Sequence, residues 1–181
     1  MATGAYNEAM GRLANNALTT GQQNVTIGYA AAQNATTAQN CVTIGYNSSP
    51  SSNTAAHEVT LGNSSTSSLR CADTSISSLS DRRDKTDIVD LPVGLDFIKS
   101  VRPVKFKWQT RDKTESKDGT VRAGFIAQEL QEAQLGSEYL DLVMENNPEK
   151  LEAKQGKLIP VMVQAIKELS AKVEELESKL N

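Results

Sequence analysis

The sequence predicts an α+β C-terminal domain that ends in a coiled-coil helix, preceded by a β-rich repeat segment of the β-roll or β-solenoid kind. Three observations predict it. Of 41 charged residues in a chain of 181, all but Glu8, Arg12, Glu58, Arg70 and Asp73 lie beyond residue 79, so two different materials are joined end to end. In the first of them a short apolar unit returns every 17 residues. At the end of the second, apolar residues alternate in steps of three and four from Ile159 to Leu180. These features divide the chain into repeats at 1–63, a neck at 64–79, an α+β unit at 80–157 and a coiled coil at 158–181.

The repeat is Val25-Thr26-Ile27-Gly28, then Val42-Thr43-Ile44-Gly45, then Val59-Thr60-Leu61-Gly62. One period earlier stands a worn copy, Glu8-Ala9-Met10-Gly11. A second register runs between the glycines: Leu18-Thr19-Thr20-Gly21 aligns with Ala35-Thr36-Thr37-Ala38 and Ser52-Asn53-Thr54-Ala55. A fixed spacing of this kind is unexpected in an Asn/Ser/Thr-rich linker. Val-Thr-Ile alternates apolar, polar and apolar, which predicts a strand burying its valine and isoleucine, closed by a glycine turn. One copy buries too little to stand alone, and stacked copies share a core. Even the stack is poor in apolar mass for a single chain, so burial between chains is expected. Residues 64–79 lose the glycine and read as an irregular or β-like neck.

The bulk chemistry excludes several classes. Net charge is −3 without a basic block, so neither nucleic acid nor an anionic membrane is an expected partner. No run of about 18 apolar residues exists to span a bilayer, and the first residues lack a secretory pattern. Cys41, Cys71 and His57 do not form a metal-ligand cluster, so no metal and no cofactor is expected. The cysteines read as two isolated buried thiols, and His57 as a solvated loop residue.

The seam between the two materials is Ser80-Asp81-Arg82-Arg83-Asp84-Lys85-Thr86-Asp87-Ile88. A serine hydroxyl is a poor nucleophile until a base takes its proton. Lysine serves as that base only when neutral, and its ordinary value of about 10.4 must fall by roughly three units. Burial in an assembly is the expected cause, helped by Arg82 and Arg83 if they come close. Beyond the seam, Leu91-Pro92 opens a short helix that buries Leu95, Ile98 and Val101 and ends at Pro103. Val104, Phe106 and Trp108 alternate with lysines as a half-buried strand. Asp118-Gly119 is the expected hairpin turn, and Val121 to Phe125 the returning strand. Phe106, Trp108 and Phe125 are expected in the core. A helix starts at Ile126, a strand covers Tyr139 to Met144, Asn146-Asn147-Pro148 turns, and Lys150 to Lys157 makes a second small hairpin.

In the tail, Ile159, Ile166, Val173 and Leu180 take a positions, and Met162, Leu169 and Leu176 take d. Sustained heptads predict a coiled coil, with an amphipathic helix packed on its own domain as the alternative. β-Branched a with Leu at d favours two strands.

Ser80-Asp81-x-Arg83-x-Lys85-x-x-Ile88 resembles the opening motif of the intramolecular chaperone autoprocessing domain, the S74 peptidase family. Leu95 to Trp108 resembles its helix-then-strand segment, and Gly124-Phe125-Ile126-Ala127-Gln128-Glu129-Leu130 its second signature. The repeats are similar to those of trimeric adhesin heads and phage tail fibres. The resemblance implies a homotrimer with a three-stranded coil. It implies self-cleavage at Leu79–Ser80, with Ser80 as nucleophile, Lys85 as general base, and Asp81 and Arg83 as supporting residues. It also implies a virion tail fibre or appendage whose chaperone part drives trimerisation and folding, then is released in the host cytoplasm. The N-terminal fibre part would then be what meets a host cell-surface receptor. The alternative is a non-cleaving trimerisation clamp on a host-binding adhesin or fibre tip. For an adhesin, Tyr29 and Tyr46 are the candidate sugar platforms.

Overall fold

A computed structural model describes residues 4–73, 75–109 and 116–180, with only the backbone described for 116–118. The chain divides into two compact units, Met1–Leu79 and Ser80–Asn181.

In the first unit, β1 (Glu8–Met10), β2 (Val25–Ile27), β3 (Val42–Ile44) and β4 (Val59–Leu61) form one parallel sheet in chain order. Every residue pairs with the one 17 positions on: Val25 with Val42, Thr26 with Thr43, Ile27 with Ile44. The same step sets the turns, where Gly28 N–H donates to Met10 O (2.8 Å), Gly45 to Ile27 O (2.8 Å) and Gly62 to Ile44 O (2.7 Å). Inside each coil a polar column climbs with the repeat. Asn24 Nδ2 donates to Asn7 Oδ1 (2.9 Å), and Cys41 N–H donates to Asn24 Oδ1 (3.0 Å).

The faces of these strands are reversed from the expectation. Thr26 and Thr43 are buried, whereas Ile27, Ile44, Val59, Leu61 and Met10 are exposed. The interior is narrow and is filled by Ala32, Ala35, Ala38, Cys41 and Ala55; a threonine fits there and an isoleucine does not. Cys41 is buried as expected, but Cys71 is exposed, because residues 64–73 and 75–79 have no regular structure and lie in solvent. His57 is exposed, and its Nδ1 meets Asn40 Nδ2 at 2.9 Å.

The second unit is α+β, closing on a 23-residue helix. Helix α1 (Leu95–Ser100) begins four residues after Leu91, and Leu91 and Val93 pack on the core from outside any helix or strand. Strand β5 (Val104–Gln109) pairs antiparallel with β6 (Ser116–Gly124). Asp118-Gly119 is not the hairpin turn: both residues lie within β6, where the register shifts and Gly119 takes φ +65° as a bulge. The charged stretch that carries this expected turn runs from Arg111 to Thr120; its residues 111–115 lie outside the described residues and 116–120 belong to β6. Helix α2 (Ala127–Ala133) follows. The strand expected from Tyr139 is instead a 3-10 turn at Glu138–Leu140 and a left-handed Asp141, leaving only β7 (Val143–Met144) as strand. Its partner is β8 (Glu152–Ala153), so the small hairpin spans the Asn146–Pro148 turn rather than Gln155-Gly156. Gln155–Lys157 forms a 3-10 turn that leads into α3 (Leu158–Leu180).

The core joins Leu130, Leu140, Leu142, Val143, Leu158 and Val161, with Phe97, Ile98, Val101 and Phe125 packed against it. Trp108 stays half-exposed and meets Phe106 edge-on, 5.2 Å between centroids. The core expectation thus holds for Phe125, which packs on the core, and fails for Trp108, which is exposed, and for Phe106, which is half-buried against Trp108 rather than in that core.

Asp141 sits where the chain reverses, at φ 52°. Lys154 Nζ donates to it at 2.6 Å and Lys157 lies at 3.3 Å. The Lys154 hydrogen bond holds its carboxyl below the usual carboxylate range, against the opposing effect of burial and with help from Lys157. A depressed folded value means that this stabilisation is present above the unfolded carboxylate value of about 3.9 and is lost as pH falls through the folded one. Asp141→Asn, which keeps a residue suited to the left-handed turn, is expected to cost at most about 1 kcal/mol at neutral pH, since the pair is half-exposed. In urea melts the gap from the wild type should close at acid pH.

Candidate active site

The seam folds on itself. Asp81 takes an extended backbone (φ −65°, ψ 138°), and its carboxylate accepts from the Arg83 N–H at 2.9 Å. An aspartate in that place satisfies one of the amides that open a helical turn. The turn is Arg82–Asp84, a single 3-10 turn closed by Asp84 N–H to Asp81 O and Lys85 N–H to Arg82 O, both 3.2 Å. The Arg83 side chain then folds back on the same aspartate, with Nη2 to Oδ2 at 2.7 Å and Nε to Oδ1 at 3.1 Å. This two-point bond holds the Asp81 carboxyl below the usual range and the Arg83 guanidinium above its own. The Arg83 side chain is largely exposed and that of Asp81 about half-exposed, so the pair shapes the turn more than it stabilises the domain.

One turn brings residues 80 and 85 to the same side. Lys85 Nζ donates to Ser80 Oγ at 2.5 Å. The contact has the reach that a hydroxyl nucleophile and an amine base require, and an amine that has lost its proton accepts from the hydroxyl along the same line. The Arg83 guanidinium is paired with Asp81. Ser80, Lys85 and Leu79 are all exposed in the single chain, with Leu79 wholly so. Ser80, Lys85, Asp81 and Arg83 are thus brought together in one six-residue loop. Water still surrounds the amine, so the burial expected around Lys85 is absent from the chain taken singly.

The attachment of this loop was not legible in the sequence. All of residues 80–90 are exposed, and their hydrogen bonds among the described residues stay inside the segment. The chain first meets the core at Leu91 and Val93. There, the Leu95 N–H that opens α1 donates to Glu168 Oε2 of α3 at 2.8 Å, and Gln164 Nε2 donates to the other oxygen at 3.2 Å. A contact across 73 positions has no local signal.

Helix α3 shows two faces. Leu158, Val161 and Ala165 are buried against their own domain, with Gln164 and Glu168 half-buried beside them. The heptad residues Ile159, Met162, Ile166, Leu169, Val173, Leu176 and Leu180 are all exposed, and from residue 171 every described residue of the helix is exposed. No helix among the described residues is long and apolar enough to cross a membrane.

Residues 80–140, about a third of the chain, match the S74 peptidase family, described as the chaperone of endosialidase. No curated protein and no solved structure matches the chain.

Proposed function

Because residues 80–140 are a domain of the chaperone-of-endosialidase family, a family of serine-type self-cleaving peptidases, we propose that this chain assembles as a homotrimer and then cuts itself between Leu79 and Ser80. The observation that carries the reading is the 2.5 Å contact from Lys85 Nζ to Ser80 Oγ, set by the Asp81–Arg83 turn. Ser80 Oγ attacks the carbonyl of its own preceding peptide, and Lys85 takes the hydroxyl proton. The amide nitrogen leaves as the Ser80 α-amine, and water then releases the Leu79 carboxylate from the ester.

Self-association is supported by two apolar surfaces, one in each unit, that a single chain leaves in water. One is the outer strand face of Met10, Ile27, Ile44 and Leu61; the other is the heptad stripe of α3. A second copy is the natural occupant of both, since each is a periodic stripe able to match itself. The coil brings chains together first, and the repeat strands, a β-solenoid fibre in this reading, pair afterwards without a concentration cost. A lysine withdrawn from water on assembly loses its proton more readily, which ties the cut to the assembled state. The cut fibre then persists because it unfolds slowly. A tail fibre or appendage of a virion, with the repeats facing a host receptor, is the setting this architecture suits.

The test is intact mass and native mass of the purified wild type beside Ser80→Ala. Wild type should give fragments 1–79 and 80–181, and Ser80→Ala an uncut trimer. An uncut wild type that is trimeric would leave the alternative, a non-cleaving clamp. Tyr29 and Tyr46 stack at 5.5 Å with Arg12 over Tyr29, which explains them as packing along the coil and gives the adhesin reading no separate support.

A further inference from the structure

We infer that Glu168 is a positioning residue for the cut, the point at which the self-associating helix fixes the loop that carries Ser80 and Lys85. This rests on the self-cleavage reading above. The loop at 80–90 has no polar bond to the rest of its domain among the described residues, so its placement depends on where the chain first becomes anchored. That anchor is Leu91 to Leu95. Leu91 and Val93 supply apolar contact, which is non-directional. The directional element is the carboxylate of Glu168, which caps the Leu95 N–H at 2.8 Å. Gly94 is buried under the same carboxylate, and a Cβ on it would stand 2.2 Å from Glu168 Oε1. The glycine thus leaves room for the carboxylate.

Glu168 lies on α3 between the exposed heptad residues Ile166 and Leu169. It is therefore on the stretch that partner helices would clasp. In a free chain, α3 beyond residue 170 is exposed all round and its end is free to fray. Once clasped, the helix holds Glu168 still, Glu168 holds Leu95, and the short run back to Lys85 is fixed at its root. Assembly then acts on the loop through packing as well as through loss of water.

The experiment follows cleavage of the full chain against chain concentration for wild type, Glu168→Ala, Glu168→Gln and Gly94→Ala. A positioning role predicts that Glu168→Ala lowers the plateau rate at saturating concentration by roughly tenfold or more, as misplaced groups do, with its concentration midpoint unchanged. Glu168→Gln keeps an oxygen acceptor and should stay within about twofold of the wild type. Gly94→Ala should copy Glu168→Ala and add nothing to it in the double variant. A shifted midpoint with an unchanged plateau would overturn the inference, since Glu168 would then serve association alone. So would a Glu168→Ala chain that cuts like the wild type, or additive effects of the two substitutions. A wild type that is never cut would instead sink the self-cleavage reading itself.

Discussion

Lys85→Met should leave the chain uncut over times in which the wild type is consumed, while its fold and native mass stay unchanged. The side chain is exposed, and its one hydrogen bond is to Ser80 Oγ, so its removal costs the domain almost no packing. What is lost is the group that takes the hydroxyl proton. Removing a general base costs on the order of a hundredfold to ten-thousandfold. Asp81 is engaged by Arg83 at both oxygens, and the Asp84 amide is tied into the turn. Lys85→Arg sharpens the point. Arginine keeps the positive charge and the length but does not give up its proton in proteins. If lysine acts as base, the arginine chain is as inert as the methionine chain. If Lys85→Arg cuts at a rate near the wild type, the lysine contributes charge and the base lies elsewhere. Mass spectrometry of timed samples reads either result.

Much of the fold was legible because short-range rules governed it. The 17-residue period fixes the register of β1 to β4, since a coil that repeats its sequence must place residue i on residue i+17. The meeting of Ser80 with Lys85 is local as well: a capped aspartate and one 3-10 turn span the gap. The failures have a common physical cause. Alternation tells that Val25 and Ile27 share a face opposite Thr26, but not which face one coil covers. Burial of apolar area predicts the apolar face inside, and the narrow Ala- and Cys-lined interior takes the threonines instead. Likewise, Asp118-Gly119 carries turn chemistry, but a positive φ suits a bulge as well as a turn. In α3 the heptad marked one stripe, while Leu158, Val161, Ala165 and Glu168 make another that only the domain's own packing selects.

Gly28→Ala should unfold the repeat unit at ordinary temperatures while leaving the C-terminal unit folded. Two costs combine. Gly28 holds φ +127°, a region that L side chains rarely adopt. A Cβ there would also stand 2.6 Å from Gly45 O and 2.7 Å from its carbonyl carbon. The obstacle is backbone of the next coil, held by the Gly45 N–H bond to Ile27 O, so it cannot swing aside as a side chain would. Left-handed strain costs about 1–2 kcal/mol, and forced overpacking a further 1–3 kcal/mol or so. Coils stacked in one dimension fail together when one interface is lost, so the penalty falls on the whole stack. Gly119→Ala, in β6 of the C-terminal unit at φ +65° with nothing within 4 Å of the added Cβ, bears a conformational cost without overpacking and should leave the repeat unit's transition unmoved. Far-UV circular dichroism would follow the repeats. The sole tryptophan, Trp108 in β5, would report on the other unit by fluorescence. Early loss of the dichroic transition with the Trp108 transition unmoved is the expected outcome. A Gly28→Ala chain whose repeat transition matches the wild type's would mean that the glycine column is not what lets the coils approach, and that the stack is set by its interior Asn7, Asn24 and Cys41 ladder alone.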